Sequence, residues 1–302
     1  MYFYDWLTYI SHIISFYITL KINLIQIVMR KTLLIILLIP IFLFSQDSPE
    51  ISYGFNQNIN YKYGDDYTNT RCVLDIYFPE KSKNFSTIVY FHGGALKRGN
   101  KYVPEFLKNK GVAVVAVNYR FYPEVSTSEI LDDTALSVKW VFDNIENYGG
   151  SKSLIFLSGH SAGGYISSML GLDKSFLAKH NINSSDLAGL IPLSGHTITH
   201  MTVREEMGIE ITKPFVDKMS PLFHISKNTP PYIMITGDRE LELLGRYEEN
   251  AYMQRMMRVV GNENSELFEL EGFGHNMVYP SLPILMYKVN QISQKILDKK
   301  NN

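Results

Sequence analysis

Residues 154–164 constrain this chain more than any other stretch. The apolar run Leu154-Ile155-Phe156-Leu157 reads as a buried strand and Tyr165-Ile166-Ser167-Ser168-Met169-Leu170 as a helix, with Gly159-His160-Ser161-Ala162-Gly163-Gly164 between them. A G-x-S-x-G pattern needs that setting. Its serine sits on a strained turn, and side chains at Gly159 and Gly163 would collide with the neighbouring strand and helix. Ser161 is then exposed at a helix N-terminus, where the Ala162 N–H and the helix dipole face any negative charge developing on a bound group. The alternative is an ordinary serine in a glycine-rich turn, and the rest of the chain has to decide between them.

Buried strands need a core. With 302 residues, 45% hydrophobic and 20% charged, the chain can supply one large α/β domain. Its 29 basic and 30 acidic residues leave a net charge of −1 without long basic runs, which argues against nucleic-acid binding. Cys72 is the only cysteine, so neither an intramolecular disulfide nor a cysteine-built zinc site is available.

The first 45 residues read separately. Arg30-Lys31 followed by the apolar residues 32–44 has the form of a signal peptide, with Ser45 as the small residue before the cut. Met29 directly precedes the basic pair, so residues 1–28 are expected to be an upstream extension and 29–45 the signal peptide. The apolar runs 6–20 and 32–44 both fall short of the roughly 20 residues that span a bilayer, so no stable membrane anchor is expected in the mature form. Cleavage after Ser45 leaves 26 basic against 29 acidic residues, a mildly acidic periplasmic or secreted protein.

Residues 46–70 are polar and read as a surface segment that enters the domain near 59–63; the catalytic domain is expected over 71–302. Strands are expected at 72–78, 87–91, 111–119, 154–157, 187–193, 231–236 and 266–270, and helices at 126–148, 245–260 and 282–297. Alternating strands and helices imply a mostly parallel sheet covered on both faces. Nothing marks a second domain boundary within it.

Open parallel sheets gather functional residues outside the carboxyl ends of their strands. His92-Gly93-Gly94-Ala95 follows the strand at 87–91, Ser161 the strand at 154–157, Gly237-Asp238-Arg239-Glu240 the strand at 231–236, and Gly272-Phe273-Gly274-His275 the strand at 266–270. The order is serine, acid, histidine.

On these residues the chain resembles the α/β-hydrolase fold esterases that carry an HGG oxyanion loop: hormone-sensitive-lipase-like esterases, kynurenine formamidases and carbohydrate acetyl or feruloyl esterases. Further matches are Leu74-Asp75-Ile76-Tyr77, Asn118-Tyr119-Arg120 with Pro123, Asp132-Asp133, and Ser220-Pro221 ahead of Pro230-Pro231. The resemblance implies Ser161 as nucleophile, His275 as general base, an oxyanion hole from the N–H groups of Gly93, Gly94 and Ala162, and no cofactor. The acid of such esterases usually stands three residues after the glycine that closes its strand, which points to Glu240, with Asp238 as the alternative. His92 and His160 are expected to brace their loops, and Gly159 and Gly163 to support the turn.

His196, His200 and His224 fit no zinc spacing, so no metal is expected. Met253, Met256 and Met257 have helical spacing and read as core. Residues 173–186 and 195–228 are expected to cover the site. The implied activity is that of an exported serine carboxylesterase acting on short acyl or carbohydrate-linked acetyl or feruloyl esters, with a small-molecule or carbohydrate ester as partner and no nucleic acid. An amidase, formamidase or peptidase on the same fold, or a non-catalytic binding protein, is the alternative.

Overall fold

A computed structural model of the protein describes residues 2–43, 51–243 and 245–301. Two compact units divide the chain, Met1–Glu50 and Ile51–Asn302. The described residues of the first form a single helix, α1 (Tyr2–Leu43), which runs unbroken through Met29 and whose described side chains, Phe16, Leu24 and Met29 among them, are exposed. Among the described residues no helix is long and apolar enough to cross a membrane. Ser45, residues 46–50 and the side chains of residues 33–44 lie outside the described residues, so the expected cleavage position falls there.

The second unit is built on one eight-stranded sheet. Its strands are β1 (Tyr53–Asn60), β2 (Val73–Pro79), β3 (Phe85–Phe91), β4 (Ala113–Val117), β5 (Gly150–His160), β6 (Gly189–Leu193), β7 (Tyr232–Gly237) and β8 (Ser265–Leu270), in the spatial order β1-β2-β4-β3-β5-β6-β7-β8. β2 is antiparallel to both neighbours, and every pairing from β4 to β8 is parallel. The fold is that of an α/β-hydrolase.

Helices cover both faces because successive strand residues point to opposite sides. On one side Val89 and Phe91 of β3 join Ile155 and Leu157 of β5 in a core closed by α3 (Thr127–Asn144), α4 (Ala162–Leu172) and α7 (Arg246–Val259). On the other, Ile88 and Tyr90 join Phe156 against Leu282, Leu285 and Val289 of α8 (Val278–Asn301). Each fully buried aliphatic side chain contributes about 1.5–3 kcal/mol relative to exposure. Of the three methionines expected in the core, Met253 and Met257 of α7 are fully buried in the first core, whereas Met256 is only half-buried and stands outside it. A capping box between Ser126 and Glu129 fixes the start of α3.

The polar stretch after residue 50 departs from the expected surface segment. Residues 53–60 form the edge strand β1, and 66–71 form the short helix α2 (Asp66–Arg71). The strand was hidden by its position. An edge strand has one neighbour, its middle is solvent-exposed, and it is interrupted between Asn56 and Ile59, where Asn58 takes a positive φ of 54°. Neither alternation nor an apolar run survives such a combination.

Candidate active site

The elbow is seated against the end of β3. Ser161 caps α4 with φ 56° and ψ −114°, a conformation costly for a residue with a Cβ, and its N–H donates to the Leu193 carbonyl at 2.8 Å. The turn packs so closely that a Cβ on Gly163 would lie 2.0 Å from the Phe91 carbonyl oxygen, and one on Gly159 2.4 Å from the same atom. Only glycines fit there.

The loop after β8 brings His275 to the serine, with Nε2 2.9 Å from Ser161 Oγ. Behind the imidazole, Nδ1 lies 2.9 Å from Glu242 Oε2 and 3.0 Å from Ser194 Oγ. The Glu242 side chain is fully buried and accepts from every side: Ser194 Oγ and the Gly237 N–H on Oε1, His275 and the Leu243 N–H on Oε2. Burial on its own raises this carboxyl, but the hydrogen bonds from His275 and Ser194 outweigh it and bring the group down to about 2. It is a carboxylate at any ordinary pH.

The acid expected at Glu240, or at Asp238, is therefore corrected to Glu242. Asp238 is spent on its own turn: Oδ1 accepts from the Glu240 N–H and Oδ2 from the Gly272 N–H, both at 2.8 Å. Its carbonyl also accepts from the N–H groups of Leu241 and Glu242, so the chain makes an additional turn after β7. That turn carries Glu240 outward, where it is exposed, and returns Glu242 to the histidine. Ser194, at the end of β6, was also missed. The pattern Asp-x-Glu-x-Glu held the signal, an aspartate able to cap a turn with a second glutamate four residues on.

On the opposite side of the serine lies the loop after β3. A Cβ on Gly93 would stand 3.4 Å from Ser161 Cβ, so this backbone borders Ser161. Gly94 has φ 119°, and a Cβ there would meet the Arg98 carbonyl at 2.0 Å. The N–H groups of Gly93, Gly94 and Ala162 have no hydrogen-bond partner among the described residues and are available to an oxyanion. His92 and His160 brace this arrangement. His92 Nδ1 is 2.7 Å from the Gly93 carbonyl, its ring stacks on Tyr119, and Tyr119 Oη donates to the His92 carbonyl. His160 Nε2 donates to the His275 carbonyl at 2.7 Å. Burial depresses both rings to about 4, so both are neutral.

Ion pairs knit together the segments next to this loop. Arg120 reaches Asp133 through Nε and Nη2, and Lys62 joins the same carboxylate. Asp75 accepts from Lys101 Nζ, on the stretch following the glycines.

The excursion after β6 folds back over the site. Helix α6 (Met201–Glu206) lets Thr202 Oγ1 donate to the Ala95 carbonyl. Its histidines have protein partners: His196 lies between Glu249 and Arg246 at 2.8 Å from each, His200 accepts from the Thr202 N–H, and His224 donates to the Lys218 carbonyl. Among the described residues no group of three His, Cys, Asp or Glu is placed to hold a metal ion.

A serine, an imidazole and a buried carboxylate in hydrogen-bonded series, facing free backbone donors, define a family of sites. The BD-FAE family model matches residues 74–243, more than half of the chain. The chain belongs to the BD-FAE family. The family match contains Gly93, Gly94, Ser161 and Glu242, and ends ahead of His275. Among curated proteins, this BD-FAE chain is 22% identical to esterase LipC of Mycobacterium tuberculosis over 70% of its length and 58% of that protein's. It is 27% identical to a probable N-octanoylanthranilate hydrolase, AqdA2, of Rhodococcus erythropolis, over 65% of its own length and 49% of that protein's. The chain thus spans about half the length of these relatives. Among solved structures, a truncated carbohydrate esterase from gut microbiota shares the fold with a TM-score of 0.66 and 17% identity, covering 82% of this chain and 98% of that one.

Proposed function

We propose that the protein is a serine carboxylesterase, with Ser161 as nucleophile, His275 as general base and acid, and Glu242 as the carboxylate that orients it. One observation carries this reading: the continuous series Ser161 Oγ, His275, Glu242, with 2.9 Å at both contacts. A serine hydroxyl is a weak nucleophile until an imidazole takes its proton. Glu242 holds the His275 proton on Nδ1, leaving the Nε2 lone pair toward Ser161, and stabilises the imidazolium that forms during attack. The tetrahedral oxyanion is received by the N–H groups of Gly93, Gly94 and Ala162, each of which contributes about 3–4 kcal/mol. Collapse expels the alcohol, protonated by His275, and leaves an acyl-enzyme. Water activated by the same imidazole then releases the acid.

The narrower reading is a short-chain or carbohydrate-linked acyl group, acetyl or feruloyl, on an ester met outside the cytoplasm. It draws support from the carbohydrate esterase among the similar structures and from the basic pair and apolar run at residues 30–44. Export follows from the same run, through a signal peptide beginning near Met29. Hydrolysis of p-nitrophenyl acetate tests the esterase, and a panel of acetylated xylan, methyl ferulate and short acyl esters tests the substrate. No turnover on any of them would leave a binding protein as the better reading. Sequencing the N-terminus of the exported protein tests the leader; a mature chain retaining Met1 overturns it.

A further inference from the structure

Beside the candidate active site lies a second cavity of about 540 Å³, a volume suited to a small organic ligand. Its walls are largely apolar, from Ile198, Met201, Ile211, Pro214 and Leu243. It adjoins both halves of the site, because α6 leans on the oxyanion loop through Thr202 and the Leu243 N–H binds Glu242.

Charged groups line the rest, and all but one are accounted for. Glu249 accepts from His196, Arg246 and the N–H groups of Thr197 and Ile198. Each of the three nitrogens of Arg246 has a partner, Glu249 for Nε, the Ser194 carbonyl for Nη1 and His196 for Nη2. Glu248 is exposed and paired with Arg239. Arg204 is different. It is 4% exposed, its Nε has no partner, and its one hydrogen bond among the described residues runs from Nη1 to the Lys213 carbonyl. Burial lowers its affinity for its proton, with Glu249 opposing and Arg246 adding to that effect. A buried guanidinium with no carboxylate hydrogen-bonded to it is costly unless something supplies one.

We propose that this cavity binds an organic carboxylate on an apolar body, the carboxylate on Arg204 and the body against Ile198, Met201, Ile211 and Pro214. A guanidinium fork matches a carboxylate in shape, and one uncompensated cation matches one negative charge. A doubly charged phosphate would instead place surplus charge near Glu248 and Glu249.

Isothermal titration calorimetry on the full chain tests this with 4-phenylbutanoate and 4-phenylbutan-1-ol, which differ only at the polar end. The acid is expected to bind about tenfold or more tightly than the alcohol, the usual value of a charge-assisted hydrogen bond. Arg204→Met is expected to erase that preference and Arg204→Lys to keep part of it. Should Arg204→Met fail to fold, Met201→Trp fills the cavity while leaving the cation, and is expected to weaken both probes. Equal affinities in the parent, an unchanged preference in Arg204→Met, or unchanged binding in Met201→Trp overturns the proposal. Heat of binding does not depend on turnover, so this result stands apart from the esterase reading. If that reading holds, the acid's effect on p-nitrophenyl acetate hydrolysis separates two sources of the carboxylate: a raised KM assigns the cavity to the far end of the ester, and an unchanged KM to a free acid.

Discussion

Glu242→Gln separates an orienting carboxylate from a merely buried one, because the substitution keeps shape and removes charge. In the protein the two oxygens of Glu242 accept four hydrogen bonds, two on each. Glutamine has one accepting oxygen. If that oxygen faces Ser194 and Gly237, the amide NH2 faces His275 Nδ1, which must then present its lone pair and carry its proton on Nε2. The imidazole would donate to Ser161 Oγ instead of accepting from it, and the base would be lost. That orientation also sets the NH2 against the Leu243 N–H; the reverse one sets it against the Gly237 N–H and keeps the tautomer, but without the negative charge that stabilises the imidazolium. Mispositioning the tautomer in serine hydrolases costs about 10⁴-fold in kcat, equivalent to about 5 kcal/mol of transition-state stabilisation. The assay is p-nitrophenyl acetate hydrolysis near neutral pH, with thermal melts to establish that the variant is folded. Glu240→Ala, at an exposed side chain, is expected to turn over like the parent. A folded Glu242→Gln within about tenfold of the parent, or a comparable loss in Glu240→Ala, would refute the assignment.

Ser161→Ala should abolish turnover and labelling by a fluorophosphonate while preserving the melt; labelling equal to the parent's would place the reactive serine elsewhere. Gly163→Ala drives a Cβ into the Phe91 carbonyl at 2.0 Å and should cost about 3 kcal/mol, a fall in Tm on the order of 10 °C; an unchanged melt contradicts the close seating of the elbow. His92 and His160 are held neutral by burial, down to about 4 from the ordinary 6.5, so between these values the unfolded chain binds more protons than the folded one. Stability should therefore fall as pH drops from about 6.5 to about 4, with a shallower slope in His160→Gln. An identical slope in that variant would show that the ring is not the group responsible.

Much of this site could be read from residue order, because the chemistry of its parts dictates local structure. Ser161 and the glycines around it demand a strand, a turn and a helix, and His92-Gly93-Gly94 and His275 fall at strand ends that the apolar runs reveal. The acid could not be placed in the same way. Its position depends on how many residues the loop after β7 spends in turning, and Asp238 adds a turn by capping it with its own carboxylate. Ser194 was invisible for another reason, since a lone serine after β6 acquires meaning only when three other loops converge on it. The edge strand β1 escaped because one-sided pairing leaves polar residues at its centre.

That edge segment also changes where the site's rigidity originates. Tyr61 donates to the Asn118 carbonyl, Lys62 binds Asp133, Tyr67 accepts from the Phe121 N–H, and Arg71 reaches the Tyr119 carbonyl. Tyr119 in turn holds the His92 carbonyl at the root of the oxyanion loop. Edge strands are where a sheet frays first, and a fluctuation that opened residues 53–71 would release this chain of contacts with it. The backbone donors nearest the serine are thus tied, through Tyr119 and the residues around it, to the polar segment that runs from the outermost strand, well away from Ser161.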